Sequence, residues 1–226
     1  MSYLLHINTA LEKAHIGLSK NDVIIVEREN SIQKEHGSFL QPAIKEICHE
    51  TGISLNNIAA VSVVNGPGSY TGLRVGLSAA KGICFALDKP LICLSTLEWL
   101  AHPFNRYMTN IICPLIDARR MEVFMAMYEP ASLGQVTPPQ AMVIDENSFP
   151  ELETQKIVFT GNGRNKLPER ISAHPNSIFP TKEADLSNQV KMANMLYAEQ
   201  KFSDLAYTEP FYLKPFYTTL NKPKGI

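Results

Sequence analysis

The 226-residue sequence lacks the marks of several protein classes at once. Its histidines, His6, His15, His36, His49, His102 and His174, include no i, i+4 pair of the kind a helix presents to zinc or iron. No metal is therefore expected. Cys48, Cys84, Cys93 and Cys113 form no C-x-x-C motif, and three of them lie in apolar runs as small hydrophobes do. Reduced core thiols in a cytoplasmic protein are the expectation. G-x-S-x-G, which would set a serine on a nucleophile elbow, does not occur. No apolar run approaches the ~20 residues that span a bilayer, and no basic segment followed by an apolar core opens the chain at Met1 to His6. Export and membrane insertion are not expected. An excess of one charge is missing too: 21 Lys plus Arg against 22 Asp plus Glu leave a net charge of −1. A chain so balanced has no overall field for a polyanion, so any nucleic acid would be held mostly by another subunit.

What is present reads as α/β. Residues 3–8, 14–18 and 23–28 form three short strands separated by polar turns such as Ser19-Lys20-Asn21-Asp22. From 34 to 50, Phe39, Leu40, Ala43, Ile44, Ile47 and Cys48 recur at helical spacing, and Thr51-Gly52 supplies a stop. Pro42 falls inside this helix, where it kinks it or marks its first turn. A buried strand at 58–64 runs into a glycine loop and then a helix over 73–87, followed by a strand at 91–94 and a helix at 96–102. The polar stretch 105–110 divides a first lobe, 1–104, from a second, 105–226. The second lobe opens with a hairpin of strands 111–116 and 122–128. Residues 134–140, with Pro138-Pro139, read as loop, 156–160 as strand, 161–163 as turn and 188–201 as helix. No repeat of fixed period is found.

The loop Gly66-Pro67-Gly68-Ser69-Tyr70-Thr71-Gly72-Leu73-Arg74 has physical reasons to hold an anion. Its glycines permit close backbone approach, the helix behind it offers free N–H groups, and Ser69, Thr71 and Arg74 carry donors. Equally, the glycines can serve only to let a strand turn tightly into a closely packed helix. The loop has no lysine for a P-loop and no G-x-G-x-x-G, so the standard phosphate fingerprints do not apply. The helix behind it is apolar or small on two faces, through Gly72, Leu73, Gly76, Leu77, Ala79 and Ala80. With the broad apolar face of helix 34–50, it forms either core or one wall of a subunit interface. Asp117, Arg119, Arg120 and Glu122 make a charged hairpin tip, read as a solvated turn.

Residues 65–82, from Asn65-Gly66-Pro67-Gly68-Ser69-Tyr70-Thr71-Gly72-Leu73-Arg74 to Lys81-Gly82, closely resemble the signature of the TsaB (YeaZ) family. Asp117-Ala118-Arg119-Arg120-Met121-Glu122-Val123 is similar to that family's D-A-R-R-x-E-V hairpin, and Pro210-Phe211-Tyr212-Leu213-Lys214 to its C-terminal P-x-Y-L-[RK]. The resemblance implies the two-lobed actin, hexokinase and Hsp70-like (ASKHA) fold, each lobe a mixed β-sheet with helices. It implies a non-catalytic scaffold that pairs with the catalytic paralogue TsaD and works with the ATPase TsaE to place a threonylcarbamoyl group on adenosine 37 of tRNAs reading ANN codons. Pairing is expected through the two helices of the first lobe, with His36, Phe39, Leu40, Ala43, Ile44, Ile47, Leu73, Gly76, Leu77 and Ala80 at the interface. For the chain alone, homodimer and monomer are both left open.

No cofactor of the chain's own is implied; ATP and Mg²⁺ are left to the complex. The catalytic relative holds its metal with an H-x-x-x-H pair, and the matching positions are Thr96 and Leu100, neither able to replace an imidazole. Asn8 stands where nucleotide-using relatives of the fold carry Asp. The competing expectation is a self-associating ASKHA-fold enzyme acting alone, a small-molecule kinase or a metallopeptidase. Arg119, Arg120, Lys214 and the tail Lys222-Pro223-Lys224 are left open as tRNA contacts.

Overall fold

A computed structural model describes residues 2–214, so the basic tail at 222–224 lies outside the described residues. The chain opens as an antiparallel meander, β1 (Tyr3–Asn8), β2 (Ala14–Lys20) and β3 (Val23–Asn30). Helix α1 (His36–Thr51) follows a short 3₁₀ turn, continues through Pro42 and stops where Gly52 takes a left-handed φ of 67°. Strand β4 (Ile58–Gly66) then leads through the glycine loop into α2 (Tyr70–Leu87), and β5 (Leu91–Ser95) completes a five-stranded sheet in the order β3-β2-β1-β4-β5. β4 runs parallel to both neighbours, β1 and β5, and is covered on both faces, which is why it reads as a continuous apolar run.

The second lobe repeats this plan. Helix α3 (Thr96–Ala101) leads to β6 (Ile111–Asp117), β7 (Glu122–Tyr128) and β8 (Gln135–Val143), again an antiparallel meander. β9 (Ile157–Thr160), the short α4 (Glu169–Ser172) and β10 (Ser177–Ile178) follow, with β6, β9 and β10 parallel. The order β8-β7-β6-β9-β10 matches that of the first sheet strand for strand. A duplication without sequence periodicity is thus visible in topology, as the two-lobed ASKHA fold requires.

Two expectations fail here. Residues 135–140 are strand and not loop: β8 includes both prolines, because among the described residues it is an edge strand with only β7 beside it and a missing N–H costs little there. The second lobe also does not keep the chain to its end. Helix α5 (Leu186–Ala198), closed by a capping box between Asp185 and Asn188, packs on all five strands of the first sheet. Ser203 then bridges to Leu91, and Phe211 donates its N–H to the Asn65 carbonyl at 2.8 Å. The chain beyond residue 185 therefore belongs physically to the first lobe. Its helix has an apolar face, Leu186, Val190 and Ala193, that finds cover only between the sheets.

Three cores result. One face of the first sheet packs against α1 and α2 through Leu5, Ile7, Val61 and Val63. The opposite face packs with α3, α5 and strands of the second sheet, joining the lobes through Leu97, Trp99, Phe104, Ile112 and Tyr128. The third core lies on the far face of the second sheet, around Leu115, Met125 and Phe159.

Candidate binding cleft between the lobes

Where the two meanders meet, the turn after β1, the glycine loop, the β6–β7 tip and the C-terminal segment enclose a cleft of about 560 Å³. Ala10, Leu11 and Glu12 form one wall, Pro67 to Thr71 the floor, Asp117 to Arg119 the opposite wall and Phe211 to Lys214 a strap across it.

The glycine loop is shaped by close packing. A β-carbon on Gly68 would sit 2.3 Å from the Ala10 carbonyl oxygen, and one on Gly72 would sit 2.0 Å from that of Thr9. No side chain fits at such separations, so these positions let α2 lie against the end of β1. The loop's donors are largely consumed by this packing. Ser69 N–H donates to the Ala10 carbonyl at 2.7 Å, and Thr9 Oγ1 donates to the Gly72 carbonyl at 2.7 Å. Ser69 Oγ accepts the Gly72 N–H at 3.3 Å as the N-cap of α2, which begins at Tyr70, three residues earlier than apolar spacing predicts. Arg74, exposed, lies over the Tyr70 ring at 4.1 Å and donates from Nε to the Tyr212 hydroxyl at 3.0 Å, while Tyr70 and Tyr212 stack with ring centroids 5.0 Å apart. The hydrogen bond from the guanidinium to Tyr212 raises the Arg74 pKa.

The opposite wall is a network of paired charges. Asp117 accepts the Arg119 N–H at 2.6 Å and pairs with Lys166; Lys214 of the strap pairs with Glu122. Asn162 Nδ2 reaches Glu12 Oε1 at 3.4 Å, across the lobes. Arg119 and Arg120 both have positive φ, 69° and 50°, and Arg119 lines the cleft. Neither the strap nor Lys166, the partner of Asp117, is apparent from sequence. The P-x-Y-L-K motif is the only local signal for the strap.

Positions that relatives of the fold use for chemistry are spent on structure here. Asn8 is buried, and its Oδ1 accepts the Ala10 N–H at 3.2 Å within its own turn. Thr96 and Leu100 are in α3 and buried, Leu100 in the core between the sheets. Of the residues expected at a partner interface, only Phe39 is partly exposed. His36, Leu40, Ala43, Ile44, Ile47, Leu73, Gly76, Leu77 and Ala80 are all buried within the chain itself. That expectation is corrected on a physical ground: a side chain with no accessible surface has none to bury against a partner. The helical period was right and its apolar face is core. The outward stripe of α2 is instead Arg74, Ser78, Gly82 and Phe85, with Phe85 81% exposed.

A family model described as TsaD: tRNA N6-adenosine threonylcarbamoyltransferase matches residues 23–212. The tRNA threonylcarbamoyladenosine biosynthesis protein TsaB of Bacillus subtilis is 31% identical over 162 residues, 70% of each chain. That of Escherichia coli is 26% identical over 219 residues, 93% of this chain and 94% of the relative. The solved structure of YeaZ from Pseudomonas aeruginosa superposes with a TM-score of 0.78 at 22% identity, covering 94% of this chain and 100% of the other. The matched sheet orders, the glycine loop laid on the end of β1 and these likenesses agree: the chain belongs to the threonylcarbamoyladenosine biosynthesis family described by the TsaD model, in its TsaB (YeaZ) branch.

Proposed function

We propose that this chain is a non-catalytic subunit that pairs with a TsaD-type catalytic paralogue for transfer of a threonylcarbamoyl group to adenosine in tRNA. The observation that carries the proposal is how the cleft spends its reactive groups. Ser69 on the floor is the cap of α2; the Asn8 amide closes its own turn; and the positions of the metal-binding histidine pair, Thr96 and Leu100, are buried in α3. Of the polar groups lining the cleft, Asp117 is paired with Lys166, Glu12 is reached by Asn162 and the Ser69 hydroxyl caps α2. The cleft's function is then to hold a shape against a partner.

The surface offered for pairing is the outward stripe of α2, with small Ser78 and Gly82 allowing close helix approach and Phe85 as an apolar anchor. A β-carbon on Gly82 would meet nothing within 4 Å inside the chain, so the residue's smallness is not needed by this chain's own packing. ATP and Mg²⁺, and contact with a TsaE-type ATPase and with tRNA, belong to the assembled complex. Mixing the chain with its TsaD paralogue and separating by size tests this. A heterodimer that replaces any homodimer, and fails to form with Phe85→Glu, supports the proposal. Two species that never combine would overturn it.

A further inference from the structure

On the face of the first sheet that also carries α5, the β2–β3 ladder brings three potential metal ligands together. His15 stands opposite Glu29 in the register, and Glu27 is opposite Gly17, so all three side chains leave the same face of one rigid antiparallel pair. His15 is buried, 6% exposed, and its Nδ1 lies 2.9 Å from Glu27 Oε1 and 3.2 Å from Glu29 Oε1. One atom from each side chain falls within 4.8 Å of the others.

Two features of this cluster exceed an ordinary ion pair. Two carboxylates converge on a single imidazole nitrogen, and one N–H cannot point along both lines. The carboxylates also stand beside each other at a sheet edge, an arrangement in which like charges repel. A divalent cation among the three atoms removes both difficulties. Ligand atoms held about 2.0–2.2 Å from a tetrahedral zinc lie about 3.3–3.5 Å apart, close to both separations from Nδ1. The remaining closure falls to Glu29, whose side chain is half exposed.

We propose that His15, Glu27 and Glu29 form a binding site for a divalent transition metal of the zinc type. One imidazole nitrogen and two carboxylate oxygens would serve as protein ligands, with water in the remaining position. A neutral imidazole and two carboxylates suit zinc and its neighbours better than magnesium or calcium, which take oxygen ligands. The metal would tie edge strand β3 to β2 at the end of the hairpin where His15 pairs with Asn8, one turn from the cleft wall. The inference is independent of the pairing function.

The test uses the full chain without a histidine tag, stripped by chelator and titrated with Co²⁺, then Zn²⁺. One equivalent of Co²⁺ should give a visible d–d absorption band that one equivalent of Zn²⁺ abolishes, and Zn²⁺ should raise the thermal midpoint. His15→Gln and Glu29→Gln should each bind at least about tenfold more weakly. Glu29 is exposed enough that E29Q keeps the fold, which circular dichroism checks. Absence of saturable binding would overturn the proposal, as would binding in both variants as tight as in the wild type. So would a His15 imidazole resonance that titrates with pH and ignores added Zn²⁺, which would identify a proton-held ion pair.

Discussion

The carbonyl oxygen of Phe211 lies 2.3 Å from the point that a β-carbon on Gly66 would occupy. Gly66 has φ of 133°, a conformation that side chains rarely adopt, at the end of the central strand β4. The strap that roofs the cleft can therefore close only because residue 66 has no side chain. Gly66→Ala is predicted to cost about 2 kcal/mol or more from backbone strain and displacement of the strap. Denaturant melts should show it. A melt identical to wild type would mean that the strap is not seated on the loop.

Ser69 separates a cap from a nucleophile. As the N-cap of α2, its replacement by alanine should cost about 1 kcal/mol, and Ser69→Asp should recover most of it. Threonylcarbamoyl-adenosine formation in cells should survive both changes. Loss of the modification by Ser69→Ala in a chain that still melts cooperatively would return the hydroxyl to chemistry.

The two faces of α2 should respond oppositely to charge. Leu77→Asp buries a carboxylate at a position 3% exposed, and should unfold the chain or cost several kcal/mol. Gly82→Arg and Phe85→Glu, on the outward stripe, should leave the melting temperature nearly unchanged and abolish pairing with the catalytic paralogue. Circular dichroism and size-exclusion chromatography read the two effects separately.

His6 predicts a pH dependence. It is fully buried, with Nδ1 2.7 Å from Ser62 Oγ and Nε2 2.8 Å from Ser19 Oγ, and Gln189 of α5 donates to the same Ser62 hydroxyl at 3.0 Å. Burial lowers its pKa from 6.5 to about 3, so folding requires the neutral ring. Its contribution is present in full above pH 6.5 and is lost as the pH falls from there toward 3, where the unfolded chain binds a proton that the folded chain refuses. Wild-type unfolding free energy should fall through this window more steeply than that of His6→Gln, by a slope approaching about 1.4 kcal/mol per pH unit. Parallel profiles would show that the ring titrates without restraint.

Much of the first lobe was legible because its signals are local. Buried parallel strands give apolar runs, α1 gives a 3.6 period ended by Gly52, and the loop gives its own glycines. What was not legible depends on the partner of each face. The apolar positions of α1 and α2 were found, but sequence periodicity does not say whether an apolar face meets the chain's own sheet or another subunit; Ile44 and Leu77 meet the sheet. Pro138 and Pro139 read as a break because sequence does not reveal that β8 is an edge. Asp185 and Asn188 mark the start of α5, and nothing local marks its return to the first sheet. Metal ligands on a helix show as an i, i+4 spacing, whereas Glu27 and Glu29 meet His15 by strand alternation across a hairpin. Alternate glutamates on one strand opposite a histidine on the next were the signal available.

Whether tRNA modification requires this chain as a subunit beside the TsaD paralogue is read by nucleoside mass spectrometry of bulk tRNA from cells depleted of this chain with the TsaD paralogue intact. Threonylcarbamoyl-adenosine should disappear, and return with wild type and with Ser69→Ala but not with Phe85→Glu. Unchanged modification after depletion, or full restoration by Phe85→Glu, would contradict the account.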